Sequence, residues 1–300
     1  EAGQIPHGVA TMHCATYRPR YTARRHFIAR FHVRIDALFR SALTVAFFAL
    51  PSSAFAVGCS DNGGAYEDWK PIMAAEAAEA GVGERGQAAL LATSYSKSTI
   101  SADRNQKSFK YSLSKFMQVR GANAIVSQGR SRKAKNADFY ASLERAYGVP
   151  AGVIIAIHGM ETGFGGFMGD SNVVSAIATL AYDCRRSDFF MPHLIAALKL
   201  VDMGAISPKT VGAKHGELGH TQFLPGNALN YGVDGNGDGR VDLTSAADAL
   251  ASTANYLRQK GWKPGKGYQK GEPNFAVIRE WNAASVYQEA IAIMAGQIDG

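Results

Sequence analysis

A glutamate, Glu161, closes an apolar run and is followed by three glycines within five residues, in the stretch IIAIHGMETGFGG (154–166). It stands seven residues after Ile154 and four after Ile157, so on a helix it shares their core-directed face. Pro150 suits the first position of such a helix, and Gly163, Gly165 and Gly166 end it. Glu161 then falls in the last turn, where the negative end of the helix dipole disfavours a carboxylate. Desolvation acts in the same direction, so both effects push its pKa up. A carboxyl group held protonated near neutral pH is a general acid. An ordinary glutamate at a helix end would turn out to solvent instead. Against that, this helix has no Lys or Arg at helical spacing to pair with Glu161. The glycines after it leave open backbone, as a cleft for a bulky ligand requires.

Two further stretches carry polar chemistry. In GELGHTQFLP (216–225), Gln222 offers an amide to hydroxyls or other amides, with Phe223 and Pro225 to fix the loop; the same pattern also fits a turn between helices. Glu217 is the one other carboxylate in this stretch. The acidic run DGNGDGRVDLTSAAD (234–248) places Asp234, Asn236 and Asp238 at positions 1, 3 and 5 of an EF-hand-like loop, with Gly239 at the sharp turn. Arg240 would offer its carbonyl at position 7, and Asp242 could act through water. Position 12 is Ser245, so Asp248 would have to supply the last carboxylate. The expectation is one structural Ca²⁺ and no cofactor for catalysis, with a metal-free Asx-turn loop as the alternative.

The elements that must hold these groups are mostly helices. Apolar residues recur at helical spacing over 65–80, 138–147, 188–203 and 246–260, and these stretches stop at Gly81, Gly148, Gly204 and Gly261. Strand candidates are few, and RVDL (240–243) sits within a loop. The fold class expected is mainly α, α+β at most, with one catalytic unit over 57–300 whose loops carry the chemistry.

Composition narrows the class. Of the net charge of +7, residues 1–56 carry +5, with seven arginines against Glu1 and Asp36. The rest of the chain is close to neutral, which does not favour a nucleic-acid partner. A basic flank, the short apolar core SALTVAFFAL (41–50) and Ala54-x-Ala56 form a secretory signal with cleavage after Ala56. The apolar stretch is shorter than the roughly 20 residues that span a bilayer. No fold is assigned to residues 1–30. Export is to an oxidising compartment, and of the three cysteines Cys14 leaves with the leader. Cys59 and Cys184 would then pair. AVGC (56–59) also resembles a lipoprotein box, although Ala56 is a poor first residue for one. Only that second reading, with lipid on Cys59, brings a membrane partner.

Five motifs in order, ETGFG (161–165), IATLAYDCRR (177–186), GHTQFLP (219–225), DGNGDGRVD (234–242) and ANYLRQKGW (254–262), resemble the lytic murein transglycosylase B family over roughly residues 60–300. The resemblance implies a lysozyme-like fold and cleavage of peptidoglycan glycan strands in the periplasm. It makes Glu161 the single catalytic acid and base, releasing 1,6-anhydromuramyl ends without consuming water. Gln222 matches the family's substrate-binding glutamine, Tyr256 an aromatic of the cleft, Asn282 a cleft asparagine and Trp281 its aromatic neighbour. Phe116 and Phe189 stand where some members have tyrosines; they would stack on sugar rings without donating a hydrogen bond. The acidic loop matches too, with its last ligand at Asp248.

Departures keep alternatives open. The run GAKHGELG (212–219) has Ala213 where many members have a serine, so a substrate hydrogen bond is missing or comes from His215. Glu217 stands where a small apolar residue is common. A hydrolase of the ordinary kind needs two carboxylates, and Glu217 could be the second; otherwise it holds backbone donors around the loop. A non-catalytic, calcium-stabilised peptidoglycan-binding module is the third possibility.

Overall fold

The computed structural model describes residues 58–105 and 111–300. The leader, its cleavage site and Cys14 lie outside the described residues. Among the described residues there are thirteen α-helices and one two-residue β-pair. These are α1 Tyr66–Glu79, α2 Glu84–Leu91, α3 Lys97–Arg104, α4 Leu113–Val119, α5 Ala122–Lys135, α6 Ala137–Tyr147 and α7 Ala151–Thr162. They continue with β1 Ser171–Asn172, α8 Val173–Tyr182, α9 Ser187–Asp202, β2 Val211–Gly212, α10 Pro225–Tyr231, α11 Ala246–Gln259, α12 Phe275–Trp281 and α13 Ser285–Asp299. β1 and β2 are antiparallel, with Ser171 opposite Gly212 and Asn172 opposite Val211. RVDL stays in a loop, as expected. No described helix is long and apolar enough to cross a membrane.

The helices read from periodicity appear within a residue or so of their expected ends. Gly148 closes α6 in the left-handed conformation, φ 71°, which costs an L-residue with a Cβ several times what it costs glycine. Pro150 is one position earlier than expected: with ψ 146° it caps α7 from outside, and the helix begins at Ala151. The sequence left α2, α3, α4, α5, α8, α10, α12 and α13 unassigned, and four of these have a plain reason. α4, α10 and α12 have seven residues each, too few turns to show a period. α8 is buried along nearly its whole length, so no polar face marks it.

α7 is the central element. Every residue from Ala151 to Met160 is buried, and α5 and α13 pack against it. A Cβ on Gly152 would meet the Ala295 carbonyl at 2.4 Å, and one on Gly159 would meet Ile125 at 2.5 Å. Those two glycines let neighbouring helices close on α7. Its first turn is satisfied by Asp299, whose carboxylate accepts from the Gly152 N–H at 2.8 Å.

The apolar side chains form two clusters. One gathers α4 to α7 and α11 to α13 around Ile154, Ile157, Trp262, Tyr287 and Ile291. The other gathers α1 to α3 with α8 and α9 around Tyr66, Trp69, Tyr182 and Phe190. The Cys59–Cys184 disulfide forms as expected, with Cα atoms 4.9 Å apart, and fastens the chain ahead of α1 to the end of α8. With its sulfur bonded to Cys184, Cys59 has no thiol to carry a lipid.

Candidate active site

α7 delivers Glu161 to the wall of a cleft of about 290 Å³. Its other walls are the 213–217 run, the Gln222 loop with Leu224 and Asn227, Tyr256 of α11, and Trp281 with Asn282 at the end of α12. A second cavity, of about 230 Å³, lies between α9, α10 and the 241–244 segment. Its lining is apolar, with Asp242 its only ionisable residue, so it offers no acid–base pair.

Glu161 is held from one side only. The Tyr287 hydroxyl donates to Oε1 at 2.5 Å and the Trp281 indole Nε1–H donates to the same oxygen at 3.0 Å. Burial pushes the carboxyl pKa up; the two hydrogen bonds and the charge of Arg120 pull it down without overcoming burial. The helix end adds to the upward push. With two neutral donors on Oε1, the proton belongs on Oε2. Tyr287 stays a donor, because burial and the neighbouring Glu161 raise its own pKa well above 10.

Glu217 lines the same cleft. Its pKa is pushed up to about 7, first by burial and further by Glu161. Oε2 accepts the His215 N–H at 3.2 Å, and Oε1 lies 3.6 Å from His215 Nδ1. It therefore holds a backbone donor of its loop and is also a second titrating carboxyl beside Glu161. Behind it, Asp103 is buried against Arg185 and Arg186, with His215 Nε2 at 3.8 Å. Burial lowers the His215 pKa to about 4, and the two arginines add to this. Ala213 and His215 both line the cleft.

The other expected residues separate into two groups. Gln222 lines the cleft, and its amide donates to the carbonyls of Gly219 at 2.8 Å and Met168 at 3.3 Å. Tyr256 lines it with its hydroxyl donated to the Glu280 carbonyl, so it offers a ring edge more than a polar group. Trp281 stands edge-on to Tyr256 at 5.4 Å and to Phe223 at 5.1 Å, which fixes its indole over Glu161. Asn282 lines the cleft while its Oδ1 caps the Ala284 N–H. Phe116 is a correction: it is 1% exposed and packs on Tyr287 at 6.3 Å, so no face is open to a sugar. It backs the tyrosine that holds Glu161. Phe189 is 51% exposed beside His193 and Arg186, outside the cleft lining. His193, which Phe189 meets edge-on, accepts the Gly226 N–H next to Asn227 of the lining. Tyr287 was missed; its signal was a tyrosine six residues after Trp281 in WNAASVY, which no local rule marks.

The acidic loop is built on backbone donors. Asp234 accepts from the N–H groups of Gly237, Asp238 and Gly239. Asp238 accepts from Arg240 N–H and the Asn236 amide, and the fully buried Asp248 from Gly235 and Asp242 N–H. Among the described residues no three acidic, His or Cys side chains converge as a metal-ligand group. The donor set of Asp234, Asn236, Asp238, Asp248 and the Arg240 carbonyl is all oxygen, which is the chemistry of a hard divalent cation. Gly237 and Gly239, at φ 80° and 84°, make the turns such a loop needs.

The model of the transglycosylase SLT domain family matches residues 65–271, which contain Glu161, Glu217, Gln222, Tyr256 and the acidic loop. The chain belongs to that family. Membrane-bound lytic murein transglycosylase B of Escherichia coli (strain K12) is 34% identical over 139 residues. That match covers 43% of this chain and 38% of the relative, so the chain spans well under half of the curated relative's length. Among solved structures, SltB3 from Pseudomonas aeruginosa in complex with NAG-NAM-pentapeptide superposes with a TM-score of 0.72 at 28% identity, covering 78% of this chain and 80% of that one. Soluble lytic transglycosylase SltB1 from the same organism gives 0.68 at 25% identity, covering 76% and 97%. The family's solved members thus share the helical, lysozyme-like architecture found here.

Proposed function

We propose that this protein is a peptidoglycan lytic transglycosylase that cleaves the β-1,4 bond between N-acetylmuramic acid and N-acetylglucosamine. The observation that carries the reading is Glu161, a half-buried carboxyl in a cleft with two neutral donors on one oxygen. Its protonated Oε2 gives its proton to the glycosidic oxygen as the C1–O bond breaks, and the glucosaminyl residue leaves as an alcohol. The muramyl C6 hydroxyl then attacks C1. Glu161, now ionised and held by Tyr287 and Trp281, takes the hydroxyl proton and is restored. One glycosidic bond breaks, one intramolecular C–O bond forms, and no water is consumed. Gln222, Asn282 and His215 are the polar groups available to seat the sugars. Family membership and the glycan-bound relative at 28% identity support the substrate class.

A second reading is favoured by one observation, the position of Glu217 in the same cleft. If it activated water, the product would carry a reducing end in place of the anhydro ring. Mass spectrometry of muropeptides released from purified sacculi distinguishes the two. Anhydro ends are expected; reducing ends alone would overturn the transglycosylase reading, and no release would leave a binding module.

We also propose one structural Ca²⁺ on the 234–248 loop, held by Asp234, Asn236, Asp238, Asp248 and the Arg240 carbonyl. The ion would supply charge neutralisation and loop rigidity, with no part in the proton transfers. The expected site of action is the periplasm after export, which the disulfide and the signal-like leader support.

A further inference from the structure

Two residues that are not glycine adopt a left-handed backbone among the described residues: Phe164 at φ 65° and Gln222 at φ 57°. Such conformations persist only where the surroundings over-determine them, and they gather at functional sites. Phe164 lies three residues beyond Glu161, and Gln222 lines the cleft. Between these two turns lies a pair of imidazoles. His158, on α7 three residues before Glu161, meets His220, two before Gln222, with Nε2 and Nδ1 3.0 Å apart.

The protons of the pair can be placed. His158 is 3% exposed, and its Nδ1 is buried with no hydrogen-bond partner. A bare lone pair there costs less than an orphaned N–H. His158 therefore carries its proton on Nε2 and donates to Nδ1 of His220. His220 is then protonated on its other nitrogen, consistent with its hydrogen bond to the Thr244 backbone. Both rings stay neutral: burial lowers the His158 pKa to about 3 and also lowers that of His220, and Arg132 opposes a charge on either.

Other contacts close on the same point. The Thr162 hydroxyl, beside Glu161, donates to the His220 carbonyl at 2.6 Å and accepts the Gly165 N–H at 2.9 Å. A Cβ on Gly165 would overlap the His220 ring, so glycine is required there for this approach. Phe164 packs edge-on against His158 at 5.4 Å and carries the Arg132 guanidinium on its face at 4.4 Å. One imidazole thus stands on the helix that presents Glu161 and the other on the loop that presents Gln222.

We propose that His158 and His220 are a positioning pair that holds Gln222 in its left-handed turn against the end of α7, and so sets where its amide stands relative to Glu161. Neither histidine touches the reacting atoms. The assay rests on the proposed transglycosylase activity, and a second readout does not.

The test is kcat/KM on purified sacculi for His220→Leu and His220→Asn, each with Gln222 intact and with Gln222→Ala. His220→Leu should lower kcat/KM roughly 10–100-fold, the scale of a sub-ångström to ångström displacement of a binding group. His220→Asn, whose Oδ1 replaces the accepting Nδ1, should recover most of that loss. In the Gln222→Ala background His220→Leu should cost less than about twofold, because the group it positions is gone. An equal loss in both backgrounds, or no recovery with Asn, would overturn the proposal. Independently of activity, the Gln222 side-chain amide resonances of the folded protein should shift in His220→Leu and return in His220→Asn. Unmoved resonances in His220→Leu would also overturn it. A wild type that releases no muropeptide, with these shifts still seen across the His220 variants, would defeat the proposed activity and leave the pair standing.

Discussion

Glu161 and Asp234 are both carboxylates that accept hydrogen bonds, and their affinities for protons move in opposite directions. Asp234 sits in an exposed loop and accepts N–H groups from Gly237, Asp238 and Gly239, which lowers its pKa. Glu161 accepts two donors at a half-buried position on the cleft wall, and desolvation outweighs them, so its pKa rises. The difference lies in what replaces water. Backbone donors on both oxygens substitute for a full hydration shell and favour the anion. Two donors on one oxygen leave the other without compensation, and the affinity for a proton rises. One region braces a loop; the other raises a carboxyl's pKa, which is what the proposed acid requires.

The largest test of this contrast is Glu161→Gln, which keeps the side chain's shape and an oxygen for Tyr287 and Trp281 and removes the transferable proton. Muropeptide release should fall by at least ~10²–10⁴, with the fold intact by circular dichroism. Near-normal anhydro-muropeptide release would break the assignment. Tyr287→Phe is the next largest: loss of one donor from Oε1 should cost about tenfold in kcat/KM. It should also move the alkaline limb of the pH profile upward, since the anion loses support. A downward shift would mean that Tyr287 does not stabilise the carboxylate.

Glu217→Gln should retain activity within a few-fold and give the same anhydro product; activity as low as that of Glu161→Gln would favour the two-carboxylate reading. The same variant sharpens the electrostatics. A carboxyl whose folded pKa is raised to about 7 contributes stability that is present below 4.5 and is lost as pH rises through 7. His158 and His215, lowered to about 3 and about 4, act oppositely: their stability is present above 6.5 and is lost as pH falls through those values. In the wild type the two trends partly cancel between pH 4.5 and 7. Removing Glu217 should leave the histidine trend exposed, with the variant gaining roughly 5–10 °C in Tm relative to wild type from pH 5 to pH 8. A Tm difference that does not change with pH would refute the raised pKa.

The smallest expected effect concerns the acidic loop. Calcium in place of EDTA should raise the Tm of the wild type by mass action, and Asp238→Ala should reduce the shift. No shift in the wild type would mean that backbone donors alone complete the loop. An equal shift in both proteins would put the ion elsewhere.

Much of the site could be anticipated residue by residue where the signal is local. Gly148 and Gly261 mark helix ends because their conformation is set by the helix they follow. Glu161 announces its burial by its spacing from Ile154 and Ile157. Phe116 shows the limit: an aromatic in a plausible position was read as a sugar platform, and packing on Tyr287 closed it off. The acidic loop shows another, since ligand spacing says nothing about whether carboxylates turn inward together or outward to N–H groups.

By itself the sequence determined that a carboxyl stands in the last turn of an apolar helix and that Gln222 lies in a short loop before Pro225. These follow from turns of three or four residues, where each residue meets its neighbours whatever the rest of the chain does. Tertiary structure alone decided that Trp281 and Tyr287, 120 and 126 residues away, both donate to one oxygen of Glu161. It also decided that Glu217 faces the same cleft and that His158 meets His220. The first two depend on how α13 packs across α7 with α12 against α13, the others on how the 213–222 segment folds against α7. That packing is set by the shapes of side chains such as Ile154, Gly159 and Ile291 meeting across the core, which no local spacing records.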